Sequence, residues 1–288
     1  MSNASPSPSL NADQIAYWNS DAGVRWTALQ QRIDALFAPL TEAALDYAGP
    51  NIGEHVLDVG CGCGATVLEL AARVGPAGKI LGIDVSKVML DLAAERVRSR
   101  QFNNVMLLLA DASTHPFEQG VSDLAFSRFG VMFFDNPEKA FANIRRSLKP
   151  GGRLAFVCWR TMSENPWFVV PFAAAKPHLP PQKPQEPEAP GPFAFADPDR
   201  VRRILGTAGF SDVELIRHDT TMRLAGPNEV ELAADFASQI GPVSRALADG
   251  EPSARAAAKA AILQELGKHE GPEGILLSAS TWLVSARA

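Results

Sequence analysis

The chain has 288 residues, of which 46% are apolar, and its 27 basic and 32 acidic side chains give a net charge of −5. A near-average apolar fraction excludes wholesale disorder, and the acidic balance argues against nucleic acid as a partner, because phosphate neutralisation needs clustered basic residues. Three cysteines are too few for a disulfide framework, so we expect a soluble protein of a reducing, cytoplasmic compartment. No apolar run is long enough for a membrane span.

The first predicted element is helical, over residues 15–47, where apolar side chains recur at the spacing of one helix face. Pro39 should break or kink this run, because proline removes a helical hydrogen bond. Residues 1–48 are therefore predicted to be an N-terminal extension with cap helices. Its first ten residues are rich in Ser, Asn and Pro and lack the pattern of a signal peptide.

Strands and helices then alternate over residues 49–160, the predicted cofactor-binding core. Helices are predicted between strands that lie at 55–59, 79–85, 105–109, 121–126 and 153–159. Such alternation gives right-handed crossovers and a doubly wound, mainly parallel sheet of the α/β class.

Proline becomes frequent after the fifth strand, and 10 of the 22 prolines lie between Pro166 and Pro198. This composition predicts a loop or lid over residues 161–198 that is not part of the core. Residues 199–288 are predicted to complete the sheet with strands at 213–218 and 280–286 and with inserted helices at 199–208 and 253–266.

A glycine-rich turn, Gly60-Cys61-Gly62-Cys63-Gly64, follows the first strand. The carboxyl ends of parallel strands open onto the ligand crevice of such folds. Just before the turn, Asp58 would repel a pyrophosphate but attract an amine, which favours a ligand with a cationic end. Cys61 and Cys63 lack the spacing of a zinc or redox pair, and we predict no metal site.

Acidic side chains also end the next two strands. Asp84 lies where a carboxylate can accept hydrogen bonds from the ribose hydroxyls of a nucleoside, and Asp111, followed by Ala112, ends the third strand. Each carboxylate alone could be a helix cap or a solvated loop residue. Three of them at one edge of the sheet favour a binding site.

Together these segments resemble the class I S-adenosylmethionine-dependent methyltransferases, of the group typified by ubiquinone and menaquinone biosynthesis. The matching segments are residues 56–64, 82–84, 110–112 and 148–152. The resemblance implies a seven-stranded sheet whose last, antiparallel strand lies beside the fifth strand, with N-terminal helices and an inserted lid. It also implies S-adenosylmethionine as cofactor and S-adenosylhomocysteine as product.

The resemblance further implies a set of cofactor-binding residues at the strand ends and on the N-terminal helix: Asp58, Gly60, Cys61, Gly62, Asp84, Val85, Asp111, Ala112, Ser127, Arg128 and Trp18. Gly60 and Gly62 would contact the methionine part, Asp58 would lie near its amino group, Asp84 would hold the ribose, and Asp111 with its neighbour would meet the adenine. The segment after the fourth strand would face the methyl group.

Methyl transfer from a sulfonium releases a neutral thioether, so proximity and alignment can suffice, and a base is needed only if the acceptor must lose a proton. His115, just after the third strand end, is our candidate catalytic base, with a solvated or packing role as the alternative.

Aromatic residues cluster in the second half of the core, where 10 of the 15 phenylalanines lie between Phe126 and Phe195. Some must be ordinary core residues, and the others could form an apolar acceptor pocket. The residues predicted to line that pocket are Phe129, Phe133, Trp159 and Trp167.

The sequence therefore predicts an enzyme that transfers a methyl group from S-adenosylmethionine to an oxygen, carbon or nitrogen atom of a small, aromatic or apolar metabolite. Two alternatives remain open. A nicotinamide-dependent oxidoreductase would explain neither Asp58 nor Asp111, and a non-catalytic regulator would bind the same cofactor without turnover.

Overall fold

A computed structural model describes residues 11–180, 188–247 and 250–288. The strands are β1 (His55–Val59), β2 (Lys79–Asp84), β3 (Val105–Leu109), β4 (Ser122–Arg128), β5 (Leu148–Trp159), β6 (Ser211–Ala225), β7 (Glu270–Gly271) and β8 (Gly274–Arg287). They form one sheet in the order β3-β2-β1-β4-β5-β8-β6, and the two-residue β7 pairs with β8.

The first five strands of the sheet run parallel, and β8 is antiparallel to both β5 and β6. The predicted doubly wound α/β sheet, with its antiparallel last strand beside the fifth, is confirmed. Central strands are buried on both faces: Val56, Leu57 and Val59 of β1 are each at most 3% exposed. This burial is expected where helices cover both sides of a parallel sheet.

Helices flank the sheet and close its ends. They are α1 (Ala12–Trp18), α2 (Asp21–Ala28), α3 (Gln30–Ala48), α4 (Ala65–Val74), α5 (Lys87–Ser99), α6 (Pro137–Ser147), α7 (Pro166–Ala175), α8 (Pro198–Thr207), α9 (Val230–Gln239), α10 (Gly241–Ala246) and α11 (Pro252–Gly267). None of the helices in the described ranges has the length and apolarity that a membrane span requires.

The N-terminal region differs from the predicted helical run over residues 15–47 that Pro39 should break or kink. It forms three helices, and α3 continues through Pro39 without a break. Pro39 is exposed, while Ile33, Leu36 and Leu40 on the opposite face are at most 3% exposed. Burial of that face outweighs the one hydrogen bond that proline removes.

The prediction that residues 161–198 form a loop or lid outside the core was wrong for the first half of the segment. Residues 166–175 form α7, in which Trp167 and Phe168 are each 5% exposed and belong to the main hydrophobic core. Pro166 occupies the first helical turn, where proline is tolerated. Residues 181–187, which include Pro181, Pro184 and Pro187 of the predicted lid, lie outside the described residues.

Candidate active site

A cavity of about 410 Å³ opens at the carboxyl ends of β1 to β4. Helices α1 and α2 cover it from one side, and α7 and α10 contribute its far wall. Its position is the crevice where open α/β sheets bind ligands.

The glycine-rich turn is held against the ends of two neighbouring strands. The backbone N–H groups of Gly60 and Cys61 donate to the carbonyl of Ile83 at 2.9 and 3.2 Å. Gly60 has a φ of +69°, and a Cβ there would lie 2.7 Å from the Cα of Gly130. Glycine is therefore required at this position by contact with the β4 end, in addition to any ligand contact.

Ser127 stabilises the same contact between the turn and the β4 end through two hydrogen bonds. Its hydroxyl donates to the carbonyl of Val59 at 2.7 Å and accepts from the N–H of Gly130 at 3.2 Å. The side chain is fully buried and does not line the cavity. Its geometry is that of a residue that positions the turn, and it differs from the expected direct contact with the cofactor.

Asp84 ties the turn to the start of α5. Its Oδ2 accepts from the N–H of Gly62 and its Oδ1 from the N–H of Ser86, both at 2.8 Å. Burial raises the pKa of this carboxyl, although the backbone N–H donors oppose the shift. Asp84 and Val85 both line the cavity.

Asp58 lies one layer behind the cavity wall. It is fully buried and does not line the cavity, but Thr66, which does, donates its hydroxyl proton to Asp58 Oδ2 at 2.5 Å. Among the described residues Oδ1 has no hydrogen-bond partner. Burial raises the pKa of Asp58 to about 7, against the opposing effects of Thr66 and Arg128. Thr66 therefore lies between the cavity and Asp58.

Asp111 anchors the N-terminal helices to the end of β3. Both of its carboxylate oxygens accept from Nδ2 of Asn11 at 3.0 Å, and Oδ1 also accepts from the N–H of Ser113 at 2.8 Å. Asn11 in turn accepts from the N–H of Asp135 at 2.8 Å. Sequence reasoning missed Asn11, because its partners lie about a hundred residues away.

Aromatic rings line two sides of the cavity. One is the side that α1 and α2 cover, which we call the roof, and the other is the far wall. Trp18 meets Trp26 and Phe133 edge to face, with centroids 5.6 and 5.4 Å apart. Phe129 and Trp159 stack with centroids 4.2 Å apart and planes within 4° of parallel. The offset or edge-to-face contacts of such rings add stability beyond their buried area. Trp159 also contacts Trp167 at 5.1 Å.

Comparison with known proteins agrees with this geometry. Residues 56–152, from β1 to the start of β5, match the model of a methyltransferase domain. The chain is 29% identical over 246 residues to nocamycin O-methyltransferase of Saccharothrix syringae, an alignment that covers 81% of this chain and 85% of that protein. The chain is therefore an S-adenosylmethionine-dependent methyltransferase, with its methyltransferase domain at residues 56–152.

A second curated relative and a solved structure are also similar to this methyltransferase. Demethylmenaquinone methyltransferase of Lactococcus lactis is 34% identical over 113 residues, which are 39% of this chain and 44% of that protein. A structure of phosphoethanolamine N-methyltransferase 2 of Haemonchus contortus with S-adenosyl-L-methionine has a TM-score of 0.58 at 17% identity, covering 98% of this chain and 60% of that one. That likeness concerns the fold alone.

The methyltransferase brings most of the sequence-predicted site residues to one cavity. Those that line it are Trp18, Gly60, Cys61, Gly62, Asp84, Val85, Asp111, Ala112, Arg128, Phe129, Phe133, Trp159 and Trp167. Asp58 and Ser127 lie behind the wall. The side chain of His115 does not line the cavity, and its ring packs against Phe117 at 4.9 Å. A role as catalytic base would require this ring to reach the cavity.

Charged residues of the cavity wall include Arg128, which the sequence analysis singled out, and two arginines that it did not. Arg128 is largely buried, donates to Thr41 Oγ1 at 2.8 Å and lies 4.0 Å from Asp34. Arg25 of α2 and Arg245 of α10 also line the cavity. Neither has a carboxylate partner within 4.0 Å in the described part of the chain. No local motif marks them, since helix packing alone brings them to the site.

Proposed function

We propose that this methyltransferase methylates a small aromatic or apolar metabolite at an oxygen, carbon or nitrogen atom. The observation that carries the proposal is the continuity of one cavity from the glycine-rich turn and the acidic strand ends to the stacked Phe129–Trp159 wall. The name of the Saccharothrix relative makes oxygen the first acceptor atom to test. The net charge of −5 supports a small acceptor over a nucleic acid.

The residues present fit S-adenosylmethionine. We propose that Asp84 accepts from the ribose hydroxyls and that Asp111 with Ala112 borders the adenine. The hydroxyl oxygen of Thr66, whose proton goes to Asp58, is free to accept from the ammonium group. The half-buried guanidinium of Arg25 suits the carboxylate, because α2 lies against the turn through Thr27, whose hydroxyl is 4.0 Å from Cys63 Sγ.

Bound S-adenosylmethionine supplies an electrophilic methyl group on a sulfonium. The chain's own residues would contribute alignment and water exclusion, which are sufficient sources of rate for such a displacement. Trp18 and Phe133 cover the cavity, and Phe129 and Trp159 offer a flat apolar surface for the acceptor ring. We assign no base, in keeping with the position of His115.

The buried, unpaired thiols of Cys61, Cys63 and Cys158 support a reducing compartment.

Ligand binding and transfer test this proposal in sequence. We expect S-adenosylhomocysteine, but not NAD, to raise the melting temperature, and Asp84→Asn to weaken S-adenosylhomocysteine at least about tenfold in calorimetry. Asparagine keeps an acceptor for only one of the two backbone N–H donors. Asp91→Asn makes the same change at an exposed carboxylate of α5 outside the cavity lining, and this control should keep the wild-type affinity. Stabilisation by NAD would contradict the cofactor assignment.

Transfer is measured by mass spectrometry after incubation with isotope-labelled S-adenosylmethionine and a metabolite extract. We expect labelled products of low molecular mass. Binding of S-adenosylhomocysteine with no labelled product from extracts or from simple phenols would favour the non-catalytic regulator.

A further inference from the structure

Two guanidinium groups face the cavity without an ion-pair partner. Arg25 and Arg245 both line it, and neither lies within 4.0 Å of a carboxylate among the described residues. The third arginine of the wall, Arg128, lies near Asp34. A cation that is partly removed from water and left unpaired is unfavourable, so each of the two is suited to an anionic ligand.

The cofactor has one negatively charged group, which can form an ion pair with one of these two arginines. S-adenosylmethionine carries a single carboxylate, beside an ammonium and a sulfonium group. Arg25 belongs to α2, which lies against the glycine-rich turn, and the proposed function assigns it to that carboxylate. Arg245 then remains for the other molecule in the cavity.

Arg245 comes from a different part of the fold. Helix α10 lies in the segment between β6 and β7 and packs against α7, where Gly241 closely approaches the ring of Phe168. The guanidinium carbon of Arg245 lies 4.6 Å above the ring of Tyr17 on α1. That cation–π contact holds the guanidinium at the roof of the cavity while leaving its N–H groups free to donate.

A second polar group lies beside it. Ser244 is only 9% exposed and lines the cavity. Within the described ranges its hydroxyl makes no hydrogen bond. Helix α10 therefore presents two adjacent donors to a cavity whose wall on β5 and α7 is aromatic. A few convergent polar groups in an apolar cavity fix the orientation of a ligand.

We propose that Arg245, assisted by Ser244, binds a carboxylate on the methyl acceptor, so that the acceptor is an aromatic acid whose ring lies against Phe129 and Trp159. This inference rests on the proposed function, because it assumes that the cofactor occupies the other half of the cavity. Arg245 would set specificity and would take no part in the transfer itself.

Paired ligands of the same shape test the inference. 2-Naphthoate and 2-naphthamide share a ring system and differ in charge, and each is titrated calorimetrically into enzyme saturated with S-adenosylhomocysteine. We expect the wild type to bind the carboxylate at least about tenfold more tightly than the amide, as a charge-assisted hydrogen bond predicts. In Arg245→Gln the two affinities should agree within about twofold. Arg245→Lys should keep part of the preference.

The control variant is Arg100→Gln, which removes an exposed arginine at the end of α5, outside the cavity lining, and should retain the full preference. A preference that survives in Arg245→Gln, or that disappears in Arg25→Gln instead, would overturn the assignment to Arg245. Equal loss of both ligands in Arg245→Gln would show a role in packing, and absence of 2-naphthoate binding to the wild type would also overturn the inference. S-adenosylhomocysteine binding is measured separately, so failure of the cofactor assignment is distinguishable.

Discussion

The two halves of the cavity are built by different means. At the strand ends, backbone N–H groups donate to a buried carboxylate or to a backbone carbonyl at 2.8 to 3.2 Å, as in the contacts of Gly62 with Asp84 and of Cys61 with Ile83. In the other half, α7 offers aromatic rings, and α10 offers Ser244 and Arg245, which have no hydrogen-bond or ion-pair partner among the described residues. The first half is preorganised for one ligand, whereas the second can change its specificity through a few side chains without disturbing the sheet.

The strongest way to test this contrast is to disturb the turn itself. In Gly60→Ala the added Cβ would lie 2.7 Å from the Cα of Gly130, at a φ of +69°. We expect a loss of about 3 kcal/mol in the free energy of unfolding, from left-handed strain and overpacking together. S-adenosylhomocysteine affinity should fall about a hundredfold. Urea unfolding and calorimetry measure the two effects.

Gly120→Ala provides a matched control for the backbone strain. Gly120 has a φ of +65°, but a Cβ there meets nothing within 4 Å. This variant should lose about 1 kcal/mol of stability and keep its cofactor affinity. Equal effects of the two substitutions on S-adenosylhomocysteine binding would contradict the importance of the contact between the turn and the β4 end.

A second test uses pH to probe the buried carboxyl behind the turn. Burial raises the pKa of Asp58 to about 7, while the groups that face it, Thr66, Arg128 and Asp84, act in both directions. The unfolded chain releases this proton near pH 4, so the folded state is increasingly penalised as pH rises from about 4 to about 7. Asp58→Asn should therefore gain stability over wild type across that window, by on the order of 4 kcal/mol at most.

The same substitution tests the proposed link between Asp58 and the ligand's ammonium. If Thr66 transmits the charge, binding favours the ionised carboxylate, and wild-type affinity for S-adenosylhomocysteine should rise up to about tenfold between pH 6 and pH 8. The variant should show a flat profile. Parallel profiles in the two proteins would show that Asp58 has only a structural role.

Sequence reasoning succeeded where short-range patterns determine the structure. Alternating elements, the glycine-rich turn and the strand ends predicted the sheet and placed Gly62, Asp84, Asp111 and Ala112 at the cavity. Each of these positions depends on residues within one strand–loop–helix unit. Parallel strand pairing then brings the ends of these units to one edge of the sheet. The order of alternating elements was therefore enough to predict where the site residues lie.

Sequence reasoning failed where packing between distant segments decides the position. Proline composition suggested a lid over residues 161–198, yet α7 is buried because Trp167 and Phe168 pack into the core. Helices α9 and α10 were not predicted, so Arg245 escaped notice. His115 follows the end of β3, but its ring packs edge to face against Phe117. Side-chain direction in a loop is not encoded by strand position.

The smallest expected effect concerns the contact between α10 and α7, which shapes the half of the cavity proposed to bind the acceptor. Gly241 has a φ of +65°, and a Cβ there would lie 3.0 Å from the ring of Phe168. Gly241→Ala should shift α10 by a few tenths of an ångström and cost about 1 kcal/mol of binding, or roughly fivefold, for both 2-naphthoate and 2-naphthamide.

Because α10 packs against α7 and α9 and not against the glycine-rich turn, the affinity of Gly241→Ala for S-adenosylhomocysteine should stay within about twofold of wild type. Gly206→Ala is a suitable comparison, since a Cβ there meets nothing within 4 Å, and it should stabilise α8 by about 0.5–1 kcal/mol with no effect on either ligand. If Gly241→Ala instead weakened S-adenosylhomocysteine as much as the naphthalene ligands, the two halves of the cavity would be one coupled unit, and acceptor specificity could not change independently of cofactor binding.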